Sequence, residues 1–441
     1  MQLTEQQVLA LAPDAGSASN GKKLAQAKNW PLLGRSQRAL WGECQGSGAK
    51  PYQVRLDMAD FASKCSCPSF KFPCKHALGL LVLTANQPQL VADGSEPAWV
   101  AEWLDKRSDT AARKEAKAAA KAEAPVDDAA QQKRAEKRDG RARDGMAALQ
   151  VWLEDLVRNG LARLPAEGAA LWEQQAARMV DAQLPGLANR LQALADLPGS
   201  RPDWPEKLLA ELGRMALALR AYEWLASLTP ALQQILLQYL GYPVREEEVL
   251  AHGDTQHDEW QILGQVAEDA ERVRVQRTWV QGRHSGRRGL LLQFAVGNQA
   301  FAATWMPGTA FEAELAFWPG QGLRAMLKGV AQPAALPTAL WQAESIPQLL
   351  LRAAQALAAN PWHERLPAVL TAVTPIQQGE HWCLVDQQGQ ALPLHPPAPW
   401  LWLALAGGQA CDLAVEWDGE AARALSLQMD GRYHALTGAL R

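Results

Sequence analysis

At 441 residues, with 44 Lys and Arg against 47 Asp and Glu and a net charge of −3, the chain is long enough for two or three domains and is not a polycation built throughout for nucleic acid. Apolar residues make up 48%, as in ordinary globular proteins, but no apolar run reaches the eighteen residues of a membrane-spanning helix. The charge is uneven: residues 106–145 hold twelve basic against eight acidic side chains, so nucleic-acid contact is expected in or before that stretch and not on the acidic remainder.

The chain starts Met1-Gln2-Leu3-Thr4-Glu5, without the basic start and apolar run of a secretory signal, and a cytoplasmic location is expected. Residues 4–12 read as a short helix, followed by a polar loop over 13–21 and a second helix from Lys22 to about Trp30. Gly16, Gly21 and Lys22 nearly spell a phosphate-binding loop, but Lys23 stands where that motif needs a hydroxyl for magnesium. The loop therefore reads as a Gly/Asn/Ser turn. Strands are expected at 38–44 and 52–58, joined by a Gly/Ser-rich turn over 45–50.

Next comes the densest chemistry in the chain. Cys65, Cys67, Cys74 and His76 lie within twelve residues as C-x-C, a six-residue spacer and C-x-H. Three thiols and an imidazole at such short range suit one tetrahedral zinc ion, and four protein ligands leave no position for water or substrate. The zinc is therefore expected to be structural and not catalytic. Six cysteines without a secretion signal fit a reducing compartment, where thiols bind metal instead of pairing. Cys383 and Cys411 read as core residues, and Cys44 lies in an expected strand leading into the finger, near the metal but outside the four ligands already supplied. Lys64, Lys71, Lys75 and Arg55 bring positive charge to the finger. Phe70 is a candidate contact for a base or a partner surface, and at least one of Phe70 and Phe72 is expected to wrap the metal. The helix opening at His76 is apolar on most sides, and Trp99 and Trp103 are candidates to cover it.

Together with Leu40-Trp41-Gly42-Glu43-Cys44, Pro51-Tyr52-Gln53-Val54 and Pro73-Cys74-Lys75-His76-Ala77-Leu78, this spacing resembles the bacterial SWIM-type zinc finger proteins over about residues 35–85. The resemblance implies a small strand-strand-helix finger that binds DNA or other nucleic acid, or protein. It also implies assembly partners such as an AAA-type ATPase or a von Willebrand A-type protein.

Residues 105–145 are rich in Ala, Lys, Arg, Glu and Asp, have no periodic apolar face and are interrupted by Pro125. They read as a solvated helical linker and the main domain boundary. From 146 to 256 the apolar spacing is helical, with segments at 168–183, 186–196, 205–228 and 230–240 separated by prolines, as in a bundle or short solenoid. From 257 to 441 the period changes. Strands are expected at 260–266, 272–281, 289–296, 299–305, 311–318, 323–327, 380–386, 400–405, 411–418, 422–429 and 432–436, with a helix over 346–359.

Two polar stretches remain. His252-Gly253-Asp254-Thr255-Gln256-His257-Asp258-Glu259 matches no metal spacing and reads as an acidic loop. Gln281 to Gly289 reads as a solubilising basic turn. The chain is therefore expected to be an α+β multidomain protein: residues 1–104 with the finger, a linker at 105–145, a helical region at 146–256 and a β-rich domain at 257–441. The expected function is that of a non-enzymatic zinc adaptor. The alternative is a regulatory or enzymatic subunit with a site in the C-terminal half.

Overall fold

The computed structural model describes residues 3–46, 50–123, 128–270, 273–297, 299, 301–320, 322–429 and 431–437. The architecture is mixed, with a strand-rich finger region, a helical middle and a β-rich C-terminal part.

Near the N-terminus, β1 (Leu32–Arg35), β2 (Ala39–Cys44), β3 (Tyr52–Asp57) and β4 (Ser63–Cys65) form an antiparallel sheet in chain order. The expected hairpin is its centre; residues 47–49 of the turn over 45–50 lie outside the described residues. Side chains alternate across a strand. Val54 and Leu56 of β3 therefore point into a core shared with Leu78 and Leu81 of the helix Lys75–Asn86. Arg55, between them, lies over the rings of Trp99 at 5.4 Å and Trp103 at 5.9 Å. The two tryptophans thus pack with Ala39 and Trp41 on the other side of the sheet and do not cover the helix.

That cover comes from the helices Glu5–Ala10 and Ala15–Leu24. Much of the expected loop at 13–21 is helical because Asp14 caps it, accepting from Ser17 N at 2.7 Å. A Cβ on Gly21 would meet Leu78 Cβ at 2.8 Å, and one on Gly79 would meet Leu24 Cβ at 2.9 Å. The two glycines therefore set how closely these helices approach, so Gly21 has a packing role within a helix and not the expected place in a Gly/Asn/Ser turn. Gly79→Val is expected to cost about 1–3 kcal/mol by overpacking. An unchanged urea midpoint would refute this.

The stretch read as a linker is helical where described. The helix Ala98–Glu123 runs on from the finger region and Asp128–Asn159 leads into the bundle; Pro125 lies outside the described residues. The first of these helices is pinned to the finger sheet. Arg107 Nε donates to Asp57 at 3.2 Å and Nη2 to Asp60 at 2.5 Å. Burial raises the Asp60 carboxyl from 3.8 to about 6, against the opposing pull of Arg107. The folded chain then holds a proton that the unfolded chain has released, so stability should fall as pH rises from about 4 to about 6 and level off above. A pH series of urea midpoints checks this; Asp60→Asn should flatten the fall, and an identical slope in both proteins would count against it.

The helices Ala170–Asp181, Pro185–Ala193, Trp204–Glu223 and Pro230–Leu240 share one core with the C-terminal half of Asp128–Asn159, around Trp172, Leu191, Leu212 and Leu236. This is a bundle and not a solenoid. Prolines in the first turn of three of these helices preset φ where no N–H is needed.

In the C-terminal part, β5 (Asp254–Ala270), β6 (Val273–Gly282), β7 (Arg288–Val296), β8 (Ala310–Phe317) and β9 (Arg324–Pro333) close a barrel in the order β5-β6-β7-β9-β8. Long β5 pairs first with β8 and then with β6, with a bulge at Ile262/Gly264, and β7 and β9 pair in parallel. This strand order is that of a small OB-type barrel. A six-stranded sheet follows from β10 (Leu366–Gln378), β11 (His381–Val385), β12 (Ala391–Pro393), β13 (Cys411–Trp417), β14 (Ala422–Met429) and β15 (Arg432–Ala435), in the order β12-β11-β10-β13-β14-β15. It packs on the barrel's outer face through Leu263, Trp279, Leu425 and Tyr433. Gly264 admits Leu425, whose Cβ lies 2.7 Å from where a glycine Cβ would be.

The helix Ile346–Ala359 spans its expected residues. Three expectations change. The described residues of 299–305 form no strand. Residues 400–405 lie in the helix Trp400–Ala406, closed by Gly407 at φ 57°. Strands β10 and β12 were not expected at all.

Candidate metal centre

The finger site is assembled from a strand end and a helix start. β4 ends at Cys65, a turn carries Cys67, and the helix Lys75–Asn86 begins directly after Cys74, placing His76 in its first turn. Gln53 N donates to Ser66 Oγ at 2.9 Å and Ser66 N to Gln53 O at 3.0 Å, fastening the turn between the first two thiols to β3. The ligand atoms of Cys65, Cys67, Cys74 and His76 all lie within 4.8 Å of one another. His76 Nδ1 is 3.7 Å from Cys65 Sγ and 4.0 Å from Cys74 Sγ. With Zn–S near 2.3 Å and Zn–N near 2.0–2.1 Å, a tetrahedral centre puts ligand atoms about 3.5–3.8 Å apart, so the set fits one structural zinc ion.

The electrostatics agree with the donor set. The neighbouring Cys74 sulfur and burial push the Cys65 thiol up, while the Cys65 sulfur pulls the Cys74 thiol down. Crowded sulfurs carrying negative charge are what a dication neutralises. Tyr52 packs its ring on His76, with centroids 4.7 Å apart. Cys44 is fully buried beneath the site, and burial pushes its thiol up to about 11. It belongs to the finger core and lies outside the four-ligand cluster. Cys411 is also a core residue, accepting from Trp402 Nε1 at 3.2 Å, and Cys383 is half-buried on β11.

Around the ligands, Lys64 and Lys75 are exposed, and Lys71 Nζ pairs with Asp14 at 2.8 Å. That contact had no local signal, because Asp14 is 57 residues earlier in the chain. Phe70 is 80% exposed and Phe72 44%, so neither wraps the metal as expected. Arg55 spends its charge against Trp99 and Trp103.

The two polar stretches of the C-terminal half meet each other. Asp258 accepts from Ser285 Oγ at 2.6 Å, Ser285 N at 2.8 Å and His284 N at 3.1 Å. Arg283 pairs with Glu259 and Arg287 with Asp254, each at 2.8 Å. The acidic segment is mostly strand β5 and not a loop. Its carboxylates tie down the basic turn between β6 and β7.

Residues 52–83 match the SWIM zinc finger, and residues 137–240 match the SWIM-associated four-helix bundle domain. The first spans β3, β4 and the four ligands, and the second covers the helical bundle. No curated protein and no solved structure matches the chain.

Proposed function

We propose that this chain, which carries a SWIM zinc finger beside its associated helical bundle, is a non-enzymatic adaptor whose zinc-pinned loop docks on a protein partner. The observation that carries the reading is the exposure of Phe70 and Phe72 on the six-residue loop between the two ligand pairs. Aromatic side chains held by a rigid frame are the usual anchors of protein interfaces. The zinc supplies that frame while performing no reaction, since its ligand shell is filled by protein. The free cations around the loop are few, with Lys71 tied to Asp14, and they suit the rim of such an interface.

A second reading, DNA binding, rests on the exposed Lys64 and Lys75 together with Lys71. Three lysines would neutralise about three phosphates and give a shallow salt dependence, with a log–log slope of about −2 to −3. Partners of AAA-type ATPase or von Willebrand A-type chemistry remain the candidates for the first reading, and a reducing cytoplasm is the proposed location. In the runner-up reading, a regulatory or enzymatic subunit, the C-terminal half would hold a site. The carboxylates of 254–259 that would serve it are engaged with the 283–287 turn.

The test compares affinity capture by the intact chain, by Phe70→Ala/Phe72→Ala and by Lys64→Gln/Lys75→Gln. The aromatic pair should weaken a protein partner by about 30-fold or more, equivalent to about 2 kcal/mol, and the lysine pair should have a small effect. Loss with the lysine variant alone, alongside salt-sensitive retention of a DNA oligonucleotide, would replace the first reading with the second.

A further inference from the structure

The helix Trp204–Glu223 turns one face, with Leu208, Leu212, Met215 and Leu219, into the bundle core. Its solvent face is apolar as well. Leu209 is 50% exposed, Leu217 49% and Trp224, just past the helix end, 67%. Glu206, Gly213 and Arg220 are exposed too. At about 100° per residue, these three and the two leucines fall within about 40° of one line along the helix. An apolar stripe of this kind is the mark of a helix that meets another helix.

Gly213 lies at the centre of the stripe. A glycine inside a helix weakens it relative to alanine. Gly21 and Gly79 have a reason within the chain, since each faces another helix, but a Cβ on Gly213 would meet nothing within 4 Å. Its missing side chain would instead let a helix from outside come close.

The pattern is also symmetric about Gly213. Leu209 and Leu217 lie four residues to either side of it, and Glu206 and Arg220 seven. Two copies of the helix, antiparallel about a two-fold axis through Gly213, set each Leu209 against the other copy's Leu217 and each Glu206 against its Arg220. These two charges are free to pair in this way. Their neighbours Lys207 and Arg214 are engaged with Asp203, Glu420 and Glu211, whereas Glu206 and Arg220 take no ion pair among the described residues.

We propose that the chain forms a homodimer through this face, with the two helices packed antiparallel across Gly213. Such an interface is isologous, using the same patch on both copies. One helix pair buries less than the roughly 1,200–2,000 Å² of a stable complex, so the dimer is weak, with a Kd on the order of 10 µM.

The test is sedimentation equilibrium of the full, zinc-loaded chain from about 2 to about 200 µM, where the wild type should pass from monomer to dimer. Arg220→Glu sets like charges against each other and should weaken the dimer at least about tenfold, and adding Glu206→Arg should restore it to within about threefold. Gly213→Glu brings two carboxylates together on the axis and should also weaken it at least about tenfold, while its thermal midpoint stays at or above that of the wild type. Phe70→Ala/Phe72→Ala should dimerise like the wild type, because the face shares no residue with the finger. A chain that stays monomeric throughout, a dimer unchanged in Gly213→Glu or Arg220→Glu, or a charge swap that restores nothing would overturn the proposal. A lowered midpoint in Gly213→Glu, or a dimer lost with the two phenylalanines, would overturn it as well.

Discussion

Cys74→Ser is expected to lower the zinc content from one ion per chain to none and to abolish amide protection over about residues 63–76. Structural zinc contributes on the order of 10 kcal/mol to small fingers, enough to unfold a unit that has little else. This finger has more. Its helix buries Leu78, Leu80, Leu81, Val82 and Leu83 against the sheet, the two N-terminal helices and Met306. At about 1.5–3 kcal/mol for each fully buried aliphatic side chain, that packing is comparable to the metal's contribution. The loss should therefore stay local, freeing the ligand loop and β4 while the helix core keeps its protection. Elemental analysis and hydrogen exchange read the two halves of the expectation separately. A Cys74→Ser protein that still holds one zinc would remove Cys74 from the ligand set. Global loss of protection would mean that the packing around the helix contributes far less than its burial suggests.

The second large effect is expected far from the finger, at Glu416. This side chain is only 3% exposed. It accepts from Trp279 Nε1 at 2.7 Å and from Arg277 Nε and Nη2 at 3.3 Å each, with Arg365 at 3.6 Å. Arg277 is itself buried and forks onto Glu268 at 2.7 and 2.8 Å, holding that carboxyl down at about 2. The network joins the barrel to the six-stranded sheet. Glu416→Leu leaves two or three guanidinium groups without their shared countercharge and is expected to cost about 3–5 kcal/mol. Glu416→Leu combined with Arg277→Met should recover much of that loss, since replacing a buried ion pair by apolar groups is often near neutral. Urea unfolding of the two single variants and the double variant gives the coupling. A single-variant loss below about 1 kcal/mol, or a double variant worse than the sum, would show that the contact is incidental.

How much of this was legible beforehand varies with the range of the interactions. The bundle helices were readable because prolines and 3.6-residue apolar spacing are local marks. The helix Ile346–Ala359 carries its own capping box at Ser345 and Gln348. Trp400–Ala406 was misread because seven consecutive apolar residues have no period to distinguish helix from strand. β10 was missed partly because Pro367 and Pro375 argue against a strand. In the sheet, Pro375 sits at the changeover, where β10 leaves its pairing with β13 and takes up β11. The loop expected at 13–21 is a helix because Asp14 caps it and its glycine faces a helix more than fifty residues later.

What the chain determined by itself is the metal site. Four ligands within twelve residues need only one turn and one helix start to converge, and no distant contact has to be guessed. Tertiary structure alone decided what the scattered charges do. Asp258 meets Ser285, Glu416 meets Arg277, and Gln6 comes to the same cavity as Arg423 across most of the chain's length. Side chains this far apart in sequence carry no local mark of their partners, and only the packing of barrel, sheet and N-terminal helix brings them together.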